Sequence, residues 1–351
     1  MDKYFFANQI YQFSYAKPLY DRIGGTFIVR KTKKIITFKK RLRNANAFPE
    51  IQKTFLNTPP IKKMDIKNIH HLKGVIVSLS NTKMHVDSKL CKSIFIGHGT
   101  GDKKYGGNSS TQDTYDYHFI SGPKHLQKQK DVGLNIAEGK LIKIGNMRFD
   151  DYVNNKIDKE KVFKHLGIKD RSRKNILYAP TWRWGNGTFK HYVYKFCKEL
   201  SKDFNLIVRP HHHDAQKIIL VKSWCKLHGI KNVYFSNPGK LLTNDTMSDF
   251  SISDLMISDT SSVMYEYLIT KKPIIVAIHK LPELHNMPDN MNVMKHTPIY
   301  NGSQNIAQMV KQSLENSDNE KIFGELLNNC FYFNDGKSVD RAVQFINSLQ
   351  N

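Results

Sequence analysis

Residues 255–278 read LMISDTSSVMYEYLITKKPIIVAI. Leu255–Ser258 is a short apolar-rich run, as expected for a strand buried on both faces of a sheet. Asp259-Thr260-Ser261 then breaks the run. Hydroxyl residues at this point cap a helix, which the pattern carries to Thr270. A second apolar run follows at Pro273–Ile278. Strand, helix and strand in this order make a parallel crossover unit.

The same alternation extends in both directions. Upstream, strands are expected at Thr26–Val29, Gly74–Leu79, Ser93–Gly97, Tyr117–Ile120 and Leu141–Gly145, then at Asn175–Ala179, Asn205–Val208 and Val233–Phe235. Helical stretches fall at Asp158–Leu166, Tyr192–Asp203, Ala215–His228 and Ser303–Glu315. The polar stretch Asp150–Lys174 is the expected seam between two halves. The pattern predicts an α/β chain of two Rossmann-like domains with parallel sheets facing a central cleft.

Length agrees, because single cores stop growing at roughly 250–300 residues and this chain has 351. A hydrophobic content of 40% excludes a disordered chain. No apolar run approaches the roughly 20 residues of a membrane span, and the start MDKYFFANQI has no signal-peptide core. Cys91, Cys197, Cys225 and Cys330 form no C-x-x-C pair, which fits reduced thiols in a cytoplasmic protein.

The formal charge is +23. Residues 1–70 hold 15 Lys+Arg against 4 Asp+Glu, and the densest stretch is Arg30–Asn44. Such a patch attracts polyanions, whether an anionic membrane, a phosphorylated substrate or nucleic acid, or it is a solvated face. Ile35, Ile36, Phe38 and Leu42 between the charges suit a membrane interface. No helix-turn-helix, zinc-finger or RNP-like pattern supports nucleic acid.

Ligands in open α/β sheets collect at the carboxyl ends of strands, and the chemically capable residues here stand at those ends. Gly97 leads into His98-Gly99-Thr100-Gly101, and Gly145 into Asn146-Met147-Arg148. Ala179 leads into Pro180-Thr181-Trp182-Arg183, Val208 into Arg209-Pro210-His211, and Ser258 into Asp259-Thr260-Ser261-Ser262. Hydroxyls and backbone N–H groups at a helix start attract phosphate. Glu266, one turn beyond Ser262, can accept from ribose hydroxyls; an ordinary capped helix with a surface glutamate has the same pattern. His98 is suited to proton transfer near neutral pH, and a structural histidine reads alike. Adjacent side chains point apart, so His211, His212 and His213 are not expected to share a metal ion. Arg209 and His211 read better as phosphate ligands, and Arg183 either stacks between tryptophans or meets phosphate. P-loop, G-x-G-x-x-G and G-x-S-x-G motifs are absent.

The ordered series HGTG, GNMRFDD, YAPTWR, RPH, ISDTSSVMYEYL with KKPII, and FNDGKSVDR resembles the CDP-glycerol glycerophosphotransferase family of teichoic-acid-type primases and polymerases. The resemblance covers roughly residues 70–345. It implies a GT-B-like architecture, with an acceptor-side domain over 1–150 and a nucleotide-binding domain over 151–334. It also implies a C-terminal helix, 335–351, packing back on the first domain. Transfer of glycerol phosphate from CDP-glycerol to a hydroxyl, releasing CMP at the cytoplasmic membrane face, follows from the same likeness. By this resemblance His98 is the catalytic base, and His211 holds the diphosphate. Gly97, Gly99, Thr100, Gly101, Arg148, Pro180, Thr181, Arg183, Arg209, Pro210, Asp259, Ser261, Ser262 and Glu266 surround the donor. Gly101, Met147 and Thr260 depart from the family's usual proline, proline and tyrosine. No metal site and no required cofactor are expected, although a diphosphate donor can bring Mg²⁺ with it. The expected partners are CDP-glycerol or another CDP-alcohol, a lipid-linked or polymeric hydroxyl acceptor and an anionic membrane surface. Alternatives are CDP-ribitol as donor, a UDP-sugar transferase or epimerase of the same fold, and a non-catalytic polyanion binder.

Overall fold

The computed structural model describes residues 1–47, 49–51, 55, 58–97, 109–182, 187–240, 242–280 and 286–349. They divide into two compact units. Among the described residues, the first takes 1–97, 109–154 and 331–349, and the second takes 155–330. The boundary after Asn154 falls inside the expected seam Asp150–Lys174, four residues past the expected domain bound at 150. The chain returns to the first unit at Phe331 rather than at 335.

The first unit is built on seven parallel strands: β1 (Lys3–Phe6), β2 (Thr26–Val29), β3 (Ile61–Lys63), β4 (Gly74–Ser78), β5 (Cys91–Phe95), β6 (Tyr117–Ile120) and β7 (Leu141–Lys143). Their order is β3-β2-β1-β4-β5-β6-β7. Helices α1 (Gln12–Ile23), α2 (Thr32–Ala47), α3 (Pro123–Asp131) and α4 (Asp150–Val153) accompany them. β1 was not expected from the sequence, yet it pairs with β2 on one side and β4 on the other.

In the second unit six parallel strands run in the order β10-β9-β8-β11-β12-β13. They are β8 (Asn175–Ala179), β9 (Asn205–Val208), β10 (Val233–Phe235), β11 (Leu255–Ser258), β12 (Ile274–Ala277) and β13 (Ile299–Tyr300). Every residue of β8, β9, β11 and β12 is buried, which is why these segments read as unbroken apolar runs. The helices are α5 (Lys159–Leu166), α6 (Phe189–Leu200), α7 (Ile218–Leu227), α8 (Thr246–Ile252), α9 (Ser262–Tyr267), α10 (Ile306–Glu315) and α11 (Asn319–Cys330). Phe196, Cys197 and Leu200 of α6 pack with Val221 and Cys225 of α7 and Val310 of α10 against the sheet. At about 25 cal/mol per Å² each buried side chain of this size contributes roughly 1.5–3 kcal/mol. The two parallel-sheet α/β domains are the GT-B-like class that the sequence predicts.

After α11 the chain rejoins the first unit as α12 (Ser338–Ser348). Asp150 accepts hydrogen bonds from the N–H groups of Ser338 (3.1 Å) and Val339 (2.8 Å), capping the start of α12. Phe345 meets Tyr117 and Phe119 edge-on, at 4.9 and 5.7 Å between ring centres. Asp340 pairs with Arg22 of α1 at 2.8 Å. Gly145 (φ +87°) lies so close to this return that a Cβ there would stand 2.6 Å from Ser338 Oγ.

Phe38 and Leu42 of α2 are buried, with Phe38 5.3 Å from the Phe13 ring. They are core residues and cannot enter a membrane, contrary to the sequence expectation. Ile36 is 68% exposed and stays outside. All four cysteines are buried free thiols. Among the described residues no helix is long and apolar enough to cross a membrane.

Candidate functional site

Strand order in the second sheet reverses between β8 and β11, so the loops after these strands leave in opposite directions. Such a switch point is the usual ligand position in an open α/β sheet. Ala179 pairs with Ser258 across the two strands, so Pro180 and Asp259 emerge at the same level. These are the starts of the APTW and SDTSS segments singled out in the sequence.

Asp259 ties the two loops together. Its carboxylate accepts from Thr181 N–H (2.8 and 3.0 Å to the two oxygens), Thr188 N–H (3.0 Å) and Thr188 Oγ1 (3.2 Å). Thr188 Oγ1 also lies 3.1 Å from the Tyr178 hydroxyl. Asp259 is 2% exposed, and its oxygens are turned to its own chain rather than to a ligand. This corrects its assignment as a donor contact: it shapes the loops that would form one. Gly187 closes the same turn. A Cβ on it would stand 2.0 Å from Thr181 O, so only glycine fits.

Ser261 caps α9, its Oγ accepting from Val263 N–H at 3.4 Å. Ser262 is half-buried, whereas Glu266 on the second turn is buried. Pro180 and Thr181 are buried in the floor of the loop.

β9 pairs with β8 and delivers Arg209, Pro210 and His211 next to these loops. Arg209 is not aimed outward. Its Nη1 donates to Asp249 Oδ2 (2.7 Å), Ser236 Oγ (2.7 Å) and Asn244 Oδ1 (3.1 Å), and its Nη2 to Asn244 O (2.7 Å). Ser236 Oγ also donates to Asp249 Oδ2 at 2.7 Å. Arg209 and Asp249 are 3% and 0% exposed at their side chains. Burial pushes the Asp249 carboxyl up, while Arg209 and Ser236 pull it down. The expected phosphate ligand is therefore a buried scaffold that holds the 236–249 segment under the β9 end.

His211 has extended backbone, and a 3₁₀ turn begins at His212. His211 Nδ1 accepts from His213 N–H at 3.3 Å. Trp182, from the loop after β8, lies against His211 (ring centres 5.9 Å apart, 25° between planes) and His213 (4.9 Å). The APTW and RPH segments thus meet through this indole. Burial first, and His213 second, lower His212 to about 4, which keeps it neutral at pH 7. One nitrogen from each of His211, His212 and His213 lies within 4.8 Å of the others. The expectation that adjacent histidines point apart fails, because the change from extended to 3₁₀ backbone breaks strand alternation.

In the first unit Arg148 stacks its guanidinium 4.5 Å from the Tyr15 ring centre. Gly97 adopts φ +62° after β5. His98, Gly99, Thr100, Gly101 and Arg183 lie outside the described residues. Sequence reasoning missed Asp249, Ser236, Asn244, Gly187 and the contact role of Trp182. Ser236 stands at a strand end, the signal used elsewhere, but Asp249 sits inside a helix and gave none.

The sequence profile of the family "CDP-Glycerol:Poly(glycerophosphate) glycerophosphotransferase" matches residues 70–348. The teichoic acid poly(glycerol phosphate) polymerase of Staphylococcus epidermidis is 30% identical over 188 residues, covering 50% of this chain and 24% of that protein. The teichoic acid glycerol-phosphate primase of Bacillus subtilis is 24% identical over 334 residues, covering 85% of this chain and 82% of that one. This chain thus spans about a quarter of the polymerase and most of the primase. The solved wall teichoic acid polymerase TagF shares the fold at a TM-score of 0.67 and 18% identity, over 99% of this chain and 89% of that one.

Proposed function

Because the chain belongs to the CDP-glycerol:poly(glycerophosphate) glycerophosphotransferase family, we infer that it moves glycerol phosphate from CDP-glycerol to a hydroxyl of a teichoic-acid-like or capsular polymer or primer, releasing CMP. The observation that carries this reading is the switch point of the second sheet. There two loops pinned by Asp259 carry the Ser261 helix start and Trp182, and Trp182 lies against His211 from the loop after β9.

The acceptor oxygen attacks the phosphorus bearing glycerol, in line with the bond to the CMP phosphate. That P–O bond breaks, and CMP leaves with the electron pair. His98 takes the acceptor's proton. His211 and the backbone at Ser261 and Ser262 stabilise the charge on the departing phosphate. Glu266 serves the ribose. With Arg209 committed to Asp249, fewer fixed cations remain for the diphosphate, and Mg²⁺, where the donor brought it, would supply positive charge there. Activity after chelation tests that point.

Docking on the inner face of an anionic cell membrane is part of the same reading. Exposed Arg30, Lys31, Lys33, Lys39, Lys40, Arg41 and Arg43 surround exposed Ile36. Each basic residue near such a surface is worth about 1 kcal/mol. The deciding experiment incubates the protein with CDP-glycerol, CDP-ribitol and UDP-sugars in turn, with a hydroxyl-bearing primer. Release of CMP from CDP-glycerol supports the reading; release from CDP-ribitol alone changes the transferred group. Release of UDP alone overturns it.

A further inference from the structure

We propose that His211, His212 and His213 form a binding site for one borderline divalent metal ion such as Zn²⁺. The three candidate nitrogens already lie within 4.8 Å of one another. Tetrahedral coordination at Zn–N of 2.0–2.1 Å needs them about 3.4 Å apart, so the rings would turn inward on binding. The rings form a fan. His211 and His212 are 4.1 Å apart at their centres, His212 and His213 4.1 Å, and His211 and His213 5.1 Å.

Local structure prepares this set. His211 Nδ1 accepts from His213 N–H at 3.3 Å, so the neutral ring carries its proton on Nε2. A metal at Nδ1 displaces this long hydrogen bond, and a metal at Nε2 needs the proton moved to Nδ1. Trp182 backs the first and third rings, closing one side. His213 is exposed and the other two are half-buried, which leaves a way in from solvent. Asp214, next in sequence, is engaged by Lys217 and stays out of the set. Three imidazoles without a carboxylate favour zinc, copper or nickel over the hard ions Mg²⁺ and Ca²⁺. A fourth position would remain for water or an anionic oxygen.

The site has a consequence that rests on the function proposed above. A metal on His211 withdraws that ring from the donor diphosphate, so Zn²⁺ would inhibit transfer.

The test is calorimetric titration of tag-free protein with Zn²⁺, repeated with His212→Ala and His213→Ala and with a millimolar excess of Mg²⁺. The expected result is one ion per chain, unaffected by Mg²⁺. Each variant should weaken binding by at least about tenfold, the least that disturbing even an outer-shell partner costs. No binding, an affinity in both variants equal to the parent's, or displacement by Mg²⁺ overturns the site. CMP release is then measured with and without Zn²⁺. Inhibition that both variants relieve supports the site as drawn. If Zn²⁺ binds as expected but does not inhibit, the metal site stands and the role given to His211 falls.

Discussion

Replacing Arg209 by Met should unfold the second unit more readily rather than simply empty its nucleotide site. The substitution removes the cation facing Asp249, whose side chain is 0% exposed, and leaves that carboxylate with Ser236. Breaking one side of such a buried pair costs about 3–5 kcal/mol. In a domain of this size each kcal/mol moves the melting temperature by roughly 2–4 °C, so the fall should be about 6–20 °C. Adding Asp249→Leu removes the stranded charge and should recover most of the loss, since apolar replacement of a whole buried pair is often neutral. Thermal unfolding and CDP affinity would be measured on the parent, both single variants and the double variant. A phosphate-binding arginine makes a charge-assisted bond worth about 1.5–3 kcal/mol, or roughly 10–150-fold in affinity. The buried-scaffold reasoning is refuted if Arg209→Met melts like the parent yet loses CDP by that factor.

Gly187→Ala should distort the loop that Asp259 holds, because its Cβ would stand 2.0 Å from Thr181 O; weaker CDP binding by calorimetry is the expected result. Burial lowers His118 from 6.5 to about 4. The unfolded chain therefore binds more protons between those values. Stability from this group is full above pH 6.5 and is lost, on the order of 3 kcal/mol, as pH falls to about 4. His118→Leu should flatten this acid limb in urea titrations at stepped pH. His98→Ala should cut single-turnover transfer about 10²–10⁴-fold while donor affinity holds, whereas His211→Ala should weaken both. Changing Lys33, Lys39, Lys40 and Arg43 to Gln should reduce sedimentation with anionic vesicles; unchanged binding would leave α2 a solvated face. Lys34 is kept in that variant because it donates to Asn8 O beside β1.

The parts of this molecule that were legible from sequence are those that local rules determine. Strands at Asn175–Ala179 and Leu255–Ser258 are buried on both faces, so apolar runs bounded by turn residues mark them to the residue. β1 escaped because its apolar part is only Phe5-Phe6 after Lys3 and Tyr4. Pairing on both edges, which no local window contains, makes it a strand. Phe38 and Leu42 show the same limit on a helix: their spacing reveals an apolar face but not what covers it. Strand-end positions located His211, Thr181 and Ser261 because topology places loops there. Residue type could not say that Arg209 turns inward, since its partner Asp249 lies 40 residues away. Likewise, aligned motifs gave Asp259 a ligand's place, while its hydrogen bonds give it to Thr181 and Thr188.

The return of residues 331–349 to the first unit sets an order of events during synthesis. When the ribosome has finished β7, the first sheet has its strands but not α12. Tyr117 and Phe119 then lack Phe345, and Asp150 has no helix start to cap. The whole second unit must be translated before those groups are covered. At about 5–20 residues per second, that interval is roughly 10–40 s. The first unit is thus completed only after the second, and a premature stop near residue 330 would injure the unit whose synthesis began earlier.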